Sequence, residues 1–133
     1  MKDNAAFQPG FRLSELDVGL IMVVFVFSPV VGRFFEPLGI AMLFTLVHFF
    51  LFCNVLRAVR LLELVWAAAF VALWSSSYLS GVPSWAHSYA LSFAVSVVVT
   101  AVQVRLPSYH GVFWKVLNPR LPQWWEEQTG TKA

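Results

Sequence analysis

The stretch LGIAMLFTLVHFFLFCNVL, residues 38–56, holds nineteen residues with no formal charge and a single histidine, His48, near its middle. A helix needs about 20 apolar residues, at about 1.5 Å each, to cross the hydrocarbon of a bilayer, and this run is long enough. Composition agrees. The chain is 59% hydrophobic and 17% aromatic but only 12% charged, too little polar side chain to cover the exterior of a soluble domain.

Upstream of this run, Ser14-Glu15-Leu16-Asp17 has the form of a capping box, with Ser14 placed to accept from the backbone N–H of Asp17 and two acids in the first turn, where the helix dipole favours them. A first helix over about 14–35 follows. Pro29 inside it removes one backbone hydrogen bond and crowds the carbonyl of Phe25, which predicts a kink between them, with Ser28 available to the freed group. The run is read as a span and not as a cleaved leader, because Val30-Val31-Gly32-Arg33 lacks a small-x-small cleavage site and three apolar segments follow.

Glu36-Pro37 suits a second helix start, since proline at the first helical position loses no needed donor. Arg57, Arg60 and Glu63 interrupt the apolar sequence beyond Leu56 without a Gly or Pro. One helix from Leu38 to Leu79 would be about 60 Å long, about twice the hydrocarbon thickness, and would bury these charges. The chain is therefore expected to turn there, at the membrane surface, with Asn54 helping to end the helix. A third helix over about 63–79 ends at Ser80-Gly81-Val82-Pro83, and a fourth over about 85–104 is stopped by Pro107.

Four spans place the N-terminus, the turn at Arg57–Arg60 and the C-terminal tail on one side. That side collects Lys2, Arg12, Arg57, Arg60, Arg105, Lys115, Arg120 and Lys132, against Arg33 alone on the other. The positive-inside rule then makes both termini cytoplasmic, in a membrane read as a bacterial inner membrane. The expected fold is an all-α integral membrane protein. It comprises a four-transmembrane-helix bundle over residues 1–106 and a cytoplasmic interfacial tail over residues 107–133. In the tail, Tyr109, Val112, Phe113, Val116 and Leu117 recur at helical spacing, which predicts a short amphipathic helix in the interface. Trp114, Trp124 and Trp125 are rings of the kind enriched at headgroup level, and Arg57 and Arg60 belong at the same lipid interface.

Small residues recur every fourth position in two helices, as Ala68, Ala72, Ser76 and Ser80, and as Ser88, Ser92, Ser96 and Thr100. Such stripes let backbones approach where no hydrophobic drive exists, so the third and fourth helices are expected to pack along them. The same hydroxyls, with Gln103, also outline a polar path of the kind a small channel or transporter would use. His48, sharing a face with Ala41 and Thr45, is the candidate binding residue: it could hold a haem, a pigment or a quinone, or rest as a neutral imidazole bonded to a Ser or Thr of helix three or four. His87 and His110 lie at other depths, so paired histidine ligation within one chain is not indicated.

No catalytic residue and no metal set is expected, for the chain has no Gly-rich phosphate loop, no Cys-x-x-Cys and no histidine pair at ligand spacing. Cys53 is the single cysteine and cannot form an internal disulfide. Arg33 with Glu36, and Arg60 with Glu63, are spaced for local ion pairs. Scattered basic residues and a net charge of +2 do not form a nucleic-acid footprint. The reading that follows is a small non-catalytic membrane protein, a homo-oligomer or an accessory subunit of a larger complex, in contact with membrane lipids.

Overall fold

The computed structural model describes residues 7–130, all of whose regular structure is helical. Lys2 and Lys132, two of the basic residues in the charge asymmetry, lie outside the described residues. Four helices are long and apolar enough to cross a membrane: α1 (Glu15–Phe34), α2 (Glu36–Leu56), α3 (Arg60–Ser80) and α4 (Trp85–Gln103). Two short helices follow, α5 (Trp114–Leu117) and α6 (Leu121–Thr129).

The start of α1 is the capping box read from the sequence. Asp17 N–H donates to Ser14 Oγ at 3.2 Å while the Ser14 N–H donates to Asp17 Oδ2 at 2.7 Å. The helix continues through Pro29 to Phe34, and Phe35, extended at φ −151 and ψ 93, separates it from α2. That break puts Arg33 and Glu36 on different helices, and they form no ion pair. The expected partners Arg60 and Glu63 do meet, at 3.4 Å in the first turn of α3.

The helices pair as two hairpins, α1 with α2 and α3 with α4. In the first, Gly32 and Gly39 face each other so closely that a Cβ on Gly39 would lie 2.7 Å from both the Gly32 Cα and the Ser28 carbonyl oxygen. Only a bare backbone fits at that crossing. Ser28 is the one buried residue of α1. In the second hairpin the buried α4 face is Ser88, Ser92, Ser96, Val99 and Gln103. This matches the serine stripe, although Thr100 is only half-buried.

The α3 stripe is different. Ala68, Ala72 and Ser80 are exposed and Ser76 is half-buried, while the buried side chains are Trp66 and Ser77. Trp66 Nε1–H donates to the Ser92 carbonyl at 3.2 Å, and the Ser77 and Ser88 hydroxyls are 2.5 Å apart. The helix thus faces α4 with a bulky indole where four-residue spacing suggested alanines. A ring whose N–H reaches a backbone carbonyl combines large apolar contact with a satisfied donor, which small-residue counting does not detect.

An aromatic seam joins the hairpins. Phe44 of α2 stacks with Phe70 and Trp66 of α3 at centroid distances of 5.5 and 6.2 Å and meets Tyr89 of α4 at 5.2 Å. Tyr89 closes it with a 2.6 Å hydrogen bond to the Pro37 carbonyl at the start of α2.

Candidate functional site

Two regions hold the candidate interface and binding residues. The first is the end of the molecule where α2 turns into α3. The last six residues of α2, Leu51–Leu56, are wound as a π-helix, which offsets the carbonyl ladder, and two of its carbonyls bond outside the helix. The Asn54 carbonyl accepts from the Arg12 N–H at 3.3 Å, and that of Val55 from the Val112 N–H at 2.8 Å. Arg57 then takes the left-handed conformation, φ 49, and its N–H and that of Ala58 both donate to the Phe52 carbonyl. No glycine or proline is needed for the turn.

Gln103, at 0% exposure, fastens this turn to the end of α4. Its Oε1 accepts from the Val59 N–H at 3.2 Å and its Nε2 donates to the Arg57 carbonyl at 3.5 Å. Arg57 and Val59 are half-buried, and without Gln103 these backbone groups would lack a protein partner, at a cost of up to about 1–3 kcal/mol each where water does not replace it.

The segment after α4 folds back over the same turn. Gly111 lies so close that a Cβ there would be 2.6 Å from the carbonyl oxygens of both Val55 and Leu56. Tyr109 is buried, its hydroxyl donating to the Val112 carbonyl at 2.7 Å, and burial raises its pKa above the ordinary phenol value. Asn118 Nδ2 ties the segment together through the carbonyls of Pro107 and Tyr109, at 2.7 and 3.0 Å. The helix expected from Tyr109 to Leu117 is therefore confined to α5, beginning at Trp114. Tyr109 and Val112 are engaged in an irregular chain whose backbone bonds α2, and such bonding competes with helix formation.

The N-terminal segment completes the closure. The Gly10 N–H donates to the His110 carbonyl at 2.8 Å, and Phe7 sets its ring edge-on to Trp114 and Trp125 at 5.8 and 5.5 Å. Beneath it Arg57 donates to the Gln8 carbonyl. Burial first, and the Arg12 charge second, lower the pKa of Arg57 from its ordinary value. A cavity of about 110 Å³ opens here, lined by Phe7, Gln8, Pro9, Arg57, His110 and Trp125. Of the interface residues read from the sequence, Arg57, Trp114 and Trp125 are thus brought together. Trp124 lines a separate cleft with Arg105 and Arg120, and Arg60 is engaged with Glu63.

The second region surrounds His48, which is 4% exposed. Its Nδ1 lies 2.7 Å from the Phe44 carbonyl one turn earlier, so the ring donates to its own helix and not to a Ser or Thr of α3 or α4. The imidazole stacks on Trp66 at 4.6 Å with planes 11° apart and meets the Phe44 ring, tilted by 38°, at 4.2 Å. Thr45 is exposed, and the buried line of α2 is Ala41, Leu46, His48 and Phe52. The apolar cavities beside α2, lined by Ala41, Thr45, Leu46 and Val47 among others, do not include His48. Among the described residues no three of His, Cys, Asp and Glu cluster as a metal would need.

Sequence reasoning missed Gln103 as a fastener, Gly111 as a close-approach point and Trp66 as the partner of α4. A glutamine closing the apolar run of α4 was the available signal for the first. Gly111 follows four residues after Pro107 with nothing to mark its neighbours.

Together these features define an all-helical protein with four helices suited to crossing a membrane and one end closed by its own chain. No family model, curated protein or solved structure matches it.

Proposed function

We propose that the protein is a small non-catalytic membrane subunit, acting as a homo-oligomer or within a larger membrane complex, with both termini on the cytoplasmic face. One observation carries the reading: α1 buries a single residue, Ser28, and presents Met22, Phe25 and Val26 at 61%, 65% and 59% exposure. Lipid tails are as apolar as these side chains, so lipid alone can cover them. A helix that packs on α2 along one face only, through Ile21, Val24, Ser28 and Gly32, however, has its remaining faces open to a second protein.

The orientation is supported by charge. Arg12, Arg57, Arg60, Arg105, Lys115 and Arg120 lie toward the closed end, and Arg33 lies at the α1–α2 turn at the other. Anionic leaflets and the insertion machinery favour the basic end inside the cell.

The mass of the particle recovered in a mild detergent tests the proposal. The expected result is a protein mass that is a multiple of 15.0 kDa, or that of a defined complex. A strictly monomeric particle at every detergent concentration contradicts it. A covalent tag reporting the termini outside the cell would reverse the orientation.

A further inference from the structure

We propose that the Arg57 cavity is a binding site for the phosphate group of an anionic phospholipid. Three observations lead there. The cavity is small, about 110 Å³, and its described lining holds a guanidinium and an imidazole but no carboxylate. Arg57 is half-buried and makes no ion pair among the described residues, where Arg60 with Glu63 is the pair formed. One of its N–H groups is committed to the Gln8 carbonyl, and a guanidinium keeps further donors, in a planar fork suited to phosphate oxygens.

Position favours a lipid over a free ion. Arg57 directly follows the last turn of α2, a helix long enough to span, so it lies at headgroup depth whichever way the protein is oriented. Trp125 and Phe7 form an aromatic wall on one side of the cavity, and tryptophan is enriched at that depth. Arg12, close enough to act on Arg57 electrostatically, adds to the positive potential around its guanidinium. The left-handed backbone of Arg57 and its Gln103 tether hold the side chain's origin in place before any ligand arrives. Preorganisation of this kind lowers the ordering cost of binding.

The test uses the full-length protein in a mild detergent, with retained lipid read by native mass spectrometry. Three probes are titrated: phosphatidylglycerol, phosphatidylcholine and inorganic phosphate. The expected result is one phosphatidylglycerol retained at concentrations about tenfold below those needed for phosphatidylcholine, with millimolar phosphate unable to displace it. Arg57→Gln should weaken retention about tenfold or more, as loss of a hydrogen-bonded charge implies. Arg105→Gln, at an exposed basic residue of the same end outside this cavity, should leave it unchanged. Equal retention of the two lipids by the unmodified protein overturns the proposal even if Arg57→Gln fails to fold. Equal losses in both variants overturn it too, by showing diffuse charge attraction, and displacement by phosphate would reassign the cavity to a free phosphate.

Discussion

At the Arg57 end, hydrogen bonds tie together residues 10–12, the π-helical close of α2 with its turn at 57–59, Gln103 and the chain from Tyr109 to Val112. Along α1, by contrast, one face packs on α2, through Ile21, Val24, Ser28 and Gly32, and the other faces of its twenty residues are exposed. The difference lies in what the membrane can supply. Backbone groups at a helix end must find partners, and here the chain provides them, whereas an apolar helix face is already satisfied by lipid. The closed end is held by its own hydrogen bonds, and the outer face of α1 is left uncovered by the rest of the molecule.

Substitutions can break this comparison. Gly111→Ala should have the largest effect, because its Cβ would meet two backbone carbonyls that cannot turn aside. Overpacking of this kind costs about 1–3 kcal/mol, and a thermal melt in detergent should show a fall of several degrees. Gly19→Ala, with nothing within 4 Å of the added Cβ, should leave the melt unchanged. If the two melt alike, the closed end is not what limits stability.

Gln103→Leu should come next. It removes both fasteners of the α2–α3 turn, leaving the Val59 N–H and Arg57 carbonyl unpaired at about 1–3 kcal/mol. Hydrogen exchange at Val59 should rise with the loss. Gly39→Ala should lower the melting point less while loosening α1, which accelerated proteolysis or exchange confined to residues 15–34 would reveal. Ser88→Ala should be the mildest, about 0.6 kcal/mol, the usual worth of a hydroxyl bond between membrane helices.

The elements of this fold were largely legible in the sequence, and their faces only partly. The capping box at Ser14, the four apolar runs and the turn at Arg57 are local or charge-determined features, and each has its counterpart in the structure. α3 begins at Arg60, three residues before the expected Glu63, because the turn is made tight by Arg57 itself. The serine stripe of α4 was readable because hydroxyls among valines are conspicuous. Its counterpart on α3 was not, since the indole of Trp66 that fills the gap looks like any lipid-facing aromatic. The buried fold-back of Tyr109 and Gly111 depends on pairing with residues more than fifty positions away. Helical periodicity over so short a segment carries no information about that pairing.

The same holds for His48. Its depth was readable, but its partners are Phe44 and Trp66, an arrangement set by the meeting of two hairpins. Thr45, placed on its face by spacing, instead points out of the core.

The central claim is that the exposed face of α1 meets a protein and not lipid alone, and a photo-crosslinking residue at Phe25, read in intact membranes, tests it most directly. The account predicts one discrete protein adduct, either a second copy of this chain or a single larger partner. Its yield should fall when Gly39→Ala loosens the helix. Labelling of lipid only, with no protein adduct from Phe25 or from Met22 beside it, would contradict the account.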